Sequence, residues 1–557
     1  MGFENDLRVL IKEPYPKMIK DGGIGKFSMH KQPSLETLPE ANLISLFDLD
    51  NEFSLAYEMA VTNHNLKREW PKAVINESRK LKDKNFDIES VVDLRGKTFV
   101  TIDGKSAKDF DDALSLKIIN DDLFEIGIHI ADVSHYLKED SLMEKHALER
   151  GTSIYLVDRV VPMLPEKLSN ELCSLRENEE KYTFSAVFQM NNKSEVLNEW
   201  YGKTVIKSDK RFSYEEVNHV LQKKTKTINK HISLHKENYK ISEDLYDALI
   251  IFSDLAKTLR KERINEGAIS FERKEVNFNL NNKNEPVSVF YKEYGDANKL
   301  IEEFMLLANK RVAMYVTSQK KKPFVFRVHD RPDQEKLDNL QKTTSTFGHD
   351  FNSKSKNINK ALNRLLSQCK GKQEQNLIDT LVLRSMSKAE YTTKNIGHYG
   401  LGFDYYTHFT SPIRRYPDVL VHRLLNSYLE DKQNTKQISL EEVCKHSSVK
   451  EQLATKAERD SIKHMQVVFM QNKIGEEYDG VISGITERGI YVEIIENKCE
   501  GLIRLKDMKG DFYIYNTENH SIFGRYTKQK YQLGDMLRIK VHNANVRKRF
   551  LDFLLVE

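Results

Sequence analysis

The sequence predicts an α+β protein of several domains that ends in a small β-barrel of the OB type, and three observations carry the prediction. Strand-like runs surround an acidic segment near residue 100: Lys97–Ile102 (KTFVTI) before it, Ala113–Ile118 (ALSLKI) after it, and Leu123–Leu137 beyond. In the last of these, Phe124, Ile126, Ile128 and Ile130 alternate with Glu125, Gly127, His129 and Ala131, the period-two pattern of a half-buried strand. The middle of the chain is helical. From Gly475 to Glu557 it turns to five short strands, EYDGVISGIT, GIYVEIIE, CEGLIRL, GDMLRIKVHNAN and KRFLDFLLV, in about eighty residues, the size and pattern of an OB barrel that offers a sheet face to single-stranded RNA.

A chain of 557 residues is long enough for several cores. No run approaches the roughly 18 apolar residues of a membrane span, and the N-terminus lacks the apolar core of a signal peptide. A cytoplasmic protein is expected. Cys173, Cys369, Cys444 and Cys499 lie far apart with no Cys-x-x-Cys pair, so neither a zinc site nor a disulfide framework is indicated. The formal charge of +4, from 87 basic and 83 acidic residues, neither announces nor excludes nucleic acid, because an acidic metal site and a basic channel cancel in the sum. Basic residues do cluster, at Lys320–Lys322, Lys354–Lys360 and Arg414 with Arg415; most such clusters are solvated faces.

Taken in order, the first fifty residues carry weak periodicity and scattered Gly and Pro, and no fold is assigned to them. Leu55–Val61 reads as a short helix, and Leu66–Leu81 as a Pro-marked turn and a second helix. Then comes TIDGKSAKDFDDA, with Asp103, Asp109, Asp111 and Asp112 inside ten residues. Two carboxylates about 4 Å apart repel by roughly 4 kcal/mol at an effective dielectric near 20, so the group is either a solvated acidic turn or a binding set for a hard cation, Mg²⁺ or Mn²⁺. In an extended chain Asp109 and Asp111 share a face that Asp112 does not, so a bend after Asp111 is required to bring the four together.

His129, Asp132 and His135 are read as polar residues at a strand edge rather than metal ligands, because a site rich in aspartate needs no imidazole. Arg150–Leu175, broken by Pro162 and Pro165, is loop-like and carries Tyr155, either a base-stacking ring or a core tyrosine. Thr183–Met190 is a strand, and Arg211–Leu221 enters a helix with Ser213 as cap and Glu216 three positions on. Leu245, Leu249, Phe252, Leu255, Ala256 and Leu259 share the face of a helix that Gly267 stops. Another helix runs from Ala297 to about Val316; of its Glu302 and Glu303, one is expected to face solvent and the other a site. In SPIRRYPD, Pro417 and Asp418 open a helix. Arg414 and Arg415 are either a solvated pair or a clamp for phosphate, whose oxygens match the guanidinium fork. A last long helix spans Glu441 to Gln471.

With these residues in view, the chain resembles the RNase II / RNase R (RNB) family of processive 3′-to-5′ exoribonucleases, and RNase R most. TIDGKSAKDFDDA, HIADVSHY, RGTSIYLVDRVVPMLPEKLSNELCSL, LIEEFMLLAN, HYGLGFDYYTHFTSPIRRYPD and the terminal S1-type barrel follow the family's order over about seven-eighths of the chain. The resemblance implies a central RNB catalytic domain, a mixed sheet with surrounding helices, over 66–470, an S1-type OB-fold RNA-binding domain over 474–557, and a reduced or partial cold-shock (OB-like) region over 1–65. It implies that Asp103, Asp109, Asp111 and Asp112 hold Mg²⁺, with Asp111, Asp112 and Arg414 acting in hydrolysis, and that Arg414 holds the phosphate. Tyr155 would stack on the last base, Tyr214 and Phe271 line the nucleotide path, and Glu302 or Glu303 stand near the terminal nucleotide. The partner implied is single-stranded RNA with a free 3′ end, degraded by a monomer to 5′-mononucleotides. Family members usually begin with two cold-shock domains, for which the 65 residues before Leu66 leave too little room, so the chain is either a fragment or a trimmed member. Ile490 stands where the family commonly has an aromatic, which leaves Tyr491, Phe512, Tyr513 and Tyr515 as stacking candidates. The alternative function is a catalytically silent RNA-binding regulator of the same fold.

Overall fold

The computed structural model describes residues 10–11, 25–31, 40–46, 62, 64, 66–82, 90–269, 275–292, 294–320, 323–372, 374–432, 439–516, 521–546 and 548–556. Near the N-terminus, β1 (Leu10–Ile11), β2 (Gly25–Lys31) and β3 (Glu40–Leu46) form a sheet with β3 in the middle. The helix expected over Leu55–Val61 lies outside the described residues. The second expected helix is α1 (Lys72–Lys80), opened by Pro71.

The aspartates sit on a seven-stranded sheet. It is built from β4 (Val92–Asp93), β5 (Phe99–Asp103), β6 (Asp112–Asn120), β7 (Leu123–Ala131), β10 (Glu180–Asn191), β11 (Val196–Lys207) and β12 (Lys210–Ser213), in the order β12-β5-β6-β7-β10-β11-β4. Its central strands are antiparallel; β12 joins β5, and β4 joins β11, in parallel. Between β7 and β10 come α2 (Val133–Tyr136), α3 (Leu142–Arg150), the short pair β8 (Ile154–Tyr155) and β9 (Val160–Val161), and a π-helical turn over Lys167–Leu172.

After β12, the Ser213 hydroxyl accepts from the Glu216 N–H and the Glu216 carboxylate accepts from the Ser213 N–H, the reciprocal cap that the sequence predicts, opening α4 (Tyr214–Lys223). There follow the pair β13 (Thr227–Ile228) and β14 (Tyr239–Lys240), α5 (Glu243–Glu266), the hairpin β15 (Glu275–Leu280) and β16 (Pro286–Lys292), and α6 (Asp296–Ser318). Gly267 ends α5 at φ 116°, a left-handed backbone that suits glycine.

Both faces of the sheet are covered. On one, Ile126, Ile128, Ile130, Phe184 and Phe188 pack with Leu249 and Phe252 of α5 and Phe304 and Val312 of α6; Phe252 meets Phe304 edge to face at 5.6 Å. On the other, Phe99, Phe110, Ala131, Tyr182 and Ile206 pack with Met163, Leu164 and Leu168. This corrects two expectations. β7 is buried on both faces along most of its length rather than half-buried, and it lies in the middle of the sheet, so His129 is no edge residue. The His129 ring bonds Ser115 Oγ at 2.8 Å and Ser185 Oγ at 2.6 Å, and burial lowers its pKa to about 3, leaving it neutral. Gly127 makes room for it: a Cβ there would stand 2.3 Å from His129 Nε2. Asp132 accepts from the His135 N–H at the start of α2 and pairs with Lys203 at 2.9 Å.

The remaining elements are β17 (Phe326–His329), the helices α7 (Gln334–Thr346), α8 (Ile358–Cys369) and α9 (Gln375–Ser385), β18 (Ala389–Thr392), α10 (Tyr416–Leu429) and α11 (Leu440–Gln471). The five strands expected in the tail are β19 (Glu477–Thr486), β20 (Gly489–Ile494), β21 (Glu500–Arg504), β25 (Met536–Asn545) and β26 (Phe550–Leu555), closed in the order β19-β20-β21-β26-β25. A three-stranded sheet absent from the sequence reading, β22 (Tyr513–Asn516), β23 (Ser521–Gly524) and β24 (Lys530–Tyr531), is inserted before β25. Among the described residues no helix is long and apolar enough to cross a membrane.

Candidate active site

Three segments far apart in sequence meet at the end of β5. Asp103 closes that strand and Asp112 opens β6, so the connection carrying Asp109 and Asp111 spans the two strand ends. A turn at Lys105 and Ser106, closed by the Ala107 N–H donating to Gly104 O at 3.1 Å, follows Asp103 within this connection. Ser174 holds the connection from below, its hydroxyl donating to Lys108 O at 2.7 Å and accepting from the Phe110 N–H at 3.0 Å. Arg211 holds it from the side. One guanidinium nitrogen donates to the carbonyls of Lys105 (3.0 Å) and Ala107 (3.2 Å), and the group lies 4.5 Å over the Phe110 ring.

The second segment is SPIRR. Asp111 Oδ1 accepts from the Ile413 N–H at 2.9 Å, and its Oδ2 lies 3.9 Å from Arg414 Nε. The arginine pair divides its labour. Arg415 is mostly buried and donates to Asp418 Oδ1 at 2.7 Å, and the same oxygen accepts from the Ser411 N–H at 2.8 Å. Arg414 keeps 42 % of its side chain exposed and donates to Ser411 Oγ. One guanidinium thus fixes the turn, and the other is open to an anion.

The third segment carries Tyr155. Ser153 N–H and Thr152 Oγ1 both donate to Arg414 O, at 2.9 and 3.0 Å, and Glu458 of α11 accepts from the Tyr155 N–H at 3.1 Å. The Tyr155 hydroxyl donates to Asp109 Oδ2 at 3.0 Å while the residue stays 38 % exposed, which leaves ring area for stacking. Burial and Asp109 push its pKa up. Tyr214 arrives by the parallel pairing of β12 with β5, which sets Ser213 beside Asp103; burial, then Asp103 and Asp112, raise its pKa too.

Burial and mutual repulsion hold the carboxyls far from their ordinary state. Asp103 and Asp111 are raised well above the usual range, Asp103 by burial and then by Asp112, Asp111 by burial against the opposing effect of Arg414. Burial raises Asp112 to about 7. Asp103 Oδ2 is buried with no hydrogen-bond partner, a cost of about 1–3 kcal/mol unless something binds there. A divalent cation fits this donor set. Among the described residues the aspartates do not bring three ligand oxygens within 4.8 Å of one another, an opening that suits a hard cation keeping several of its waters.

Glu303 is buried against Arg263, which donates to its Oε2 at 3.0 Å, while Glu302 keeps 49 % of its side chain exposed and receives an Arg263 bond at 3.3 Å. Phe271 lies outside the described residues. Tyr491 is in β20, beside Gly484 of β19; Tyr513 is in β22 against the Tyr531 ring at 5.8 Å, and Phe512 is 62 % exposed. Sequence reasoning missed Arg211, Ser174 and Glu458. Arg211 opens the Arg211–Leu221 helix entrance and Ser174 lies in the NELCSL end of a quoted motif, but all three act through contacts that no local spacing encodes.

Carboxylates gathered beside an exposed guanidinium and a half-open aromatic ring suit phosphodiester chemistry. Residues 91–431 match the RNB domain and residues 471–554 the S1 RNA binding domain. The chain is 37 % identical to ribonuclease R of Thermotoga maritima over 95 % of its own length and 74 % of that protein's. It is 36 % identical to ribonuclease R 1 of Lactococcus lactis over 87 % of its own length and 59 % of that protein's. In three dimensions it matches RNase R of Mycoplasma genitalium in complex with ribose-methylated single-stranded RNA, with a TM-score of 0.90 and 27 % identity over 99 % of this chain and 85 % of that one. The chain belongs to the RNB family of exoribonucleases, and within it to the ribonuclease R type.

Proposed function

We propose that this chain takes single-stranded RNA by a free 3′ end and hydrolyses it processively to 5′-mononucleotides, as a monomer in the cytoplasm, with Mg²⁺ (or Mn²⁺) held by Asp103, Asp109, Asp111 and Asp112. The observation that carries the reading is the meeting of these carboxyls, one with a buried, unpartnered oxygen, with the exposed guanidinium of Arg414. Such a cation, when bound, supplies compensating charge and polarises the phosphoryl group. Arg414 would hold the phosphate in register, its backbone already fixed by Ser153 and Thr152. Tyr155 would stack on the terminal base, its hydroxyl anchored on Asp109. Tyr214 and Phe271 would line the path inward, and Glu302 or Glu303 of the LIEE pair would stand near the terminal nucleotide. Tyr491, Phe512 and Tyr513 would offer the barrel's rings to the incoming strand.

Asp111→Asn tests the reading. The amide oxygen can still accept from the Ile413 N–H, so the variant should bind RNA and release no mononucleotides. Release at the parental rate, or release by the parent in excess EDTA, would overturn the assignment. A silent RNA-binding regulator would instead bind without release in the parent itself.

A further inference from the structure

Helices α7, α8 and α9 share a small core of their own, including Leu337, Leu340, Phe351, Leu362, Leu365 and Ile378, and their ends meet at one corner. His349 follows the left-handed Gly348 just past α7, Cys369 is the last residue of α8, and Glu374 is the residue before α9. His349 Nε2 lies 2.7 Å from Glu374 Oε1 and 3.5 Å from Cys369 Sγ. Cys369 and His349 are buried, and Glu374 forms the rim. One ligand atom from each lies within 4.8 Å of the other two, the one such set of His, Cys, Asp and Glu among the described residues.

We propose that His349, Cys369 and Glu374 form a zinc site that staples the ends of α7, α8 and α9, with water in the fourth position. A tetrahedral ion with metal–sulfur and metal–nitrogen bonds of about 2.3 and 2.0 Å spaces those two ligands about 3.5 Å apart, which is the separation present. The nitrogen–oxygen pair must open from 2.7 Å to about 3.3 Å, a shift within reach of a rim glutamate. Thiolate and imidazole select Zn²⁺ over Mg²⁺, which separates this corner from the aspartates. Burial pushes the empty Cys369 thiol up to about 11, so binding releases that proton to solvent; the hydrogen bond between His349 and Glu374 is exchanged for two metal bonds, with the imidazole proton on Nδ1. The staple has a structural purpose. Leu377, Leu381 and Arg384 of α9 line a groove with Val481, Ile482 and Ser483 of β19, so it fixes a helix that faces the barrel across that groove. No Cys-x-x-Cys spacing announces such a site, which is why the sequence indicates no zinc.

The test is a cobalt(II) titration of the full chain stripped with EDTA. A thiolate-to-cobalt charge-transfer band should saturate at one equivalent, be displaced by one equivalent of Zn²⁺ and resist excess Mg²⁺. Cys369→Ser should abolish it, while Asp111→Asn and Cys444→Ser should keep it. Absence of the band from the parental protein, which decides the matter whether or not the variants fold, or its survival in Cys369→Ser, would overturn the proposal. Neither result depends on nuclease activity.

Discussion

Replacing Asp112 with Asn should stabilise the metal-free protein at neutral pH while damaging its activity. A carboxyl whose folded pKa lies above its unfolded value carries no penalty below the unfolded pKa, where it is protonated in both states; the penalty grows as pH rises and is complete above the folded pKa. For Asp112 that window runs from 3.8 to about 7. At 1.36 kcal/mol per pH unit it corresponds to about 4 kcal/mol, an upper bound because the side chain is only partly buried. The new amide N–H groups need acceptors that the acidic surroundings supply in part, offsetting the gain by about 1 kcal/mol. A net stabilisation of about 1–3 kcal/mol at pH 8 in EDTA is expected, falling to nothing near pH 4. Urea titrations followed by tryptophan fluorescence measure it in the right place, since Trp70 and Trp200 are the protein's two tryptophans and both precede the barrel. Saturating Mg²⁺ should shrink the gain, because the cation binds the parent more tightly and stabilises it by linkage. A variant no more stable than the parent at pH 8 in EDTA, or one whose advantage is the same at pH 4, would refute the account of crowded, desolvated carboxyls.

The two arginines of SPIRR should separate cleanly. Arg415→Ala leaves the buried Asp418 unpaired and should cost about 3–5 kcal/mol in denaturant unfolding, whereas Arg414→Ala should lower kcat/KM on RNA with little change in melting temperature. Tyr155→Ala should change the length of the shortest fragment left after exhaustive digestion, resolved on a sequencing gel; an unchanged end product would remove Tyr155 from the base-stacking role. Gly127→Ala drives a methyl into the His129 ring and should cost about 1–3 kcal/mol by overpacking, seen as a lowered melting temperature.

Local chemistry was the part of the fold written plainly in the sequence. Ser213 with Glu216, Gly267 after its helix, and Pro417 with Asp418 specify helix ends through contacts a few residues long, and short strand-like runs in the tail located all five barrel strands. What escaped depends on pairing at a distance. Nothing near Arg211 says that β12 lies parallel to β5 and so sets it beside the aspartate connection. His129 looked like an edge residue because alternation reports one polar face, yet a buried imidazole bonded to two serines from neighbouring strands gives the same pattern. Arg414 and Arg415 are chemically identical in the sequence; only the Asp418 contact tells which is spent on the turn. The strands β22 to β24 are short and follow no repeated alternation, and Asp511, which ties their ends by accepting from the N–H groups of Phe512 and Thr527, gives no signal of its own.

The bond from Ile413 to Asp111 joins residues 302 positions apart. A growing chain therefore carries all four aspartates long before it has the backbone that orients one of them or the guanidinium that faces them. Contacts of such range form late, after the loop they close has been ordered. The aspartates therefore lack the Ile413 N–H and the Arg414 guanidinium until about three-quarters of this sequence has been made, so a nascent polypeptide holds the acidic half of the constellation without its basic half.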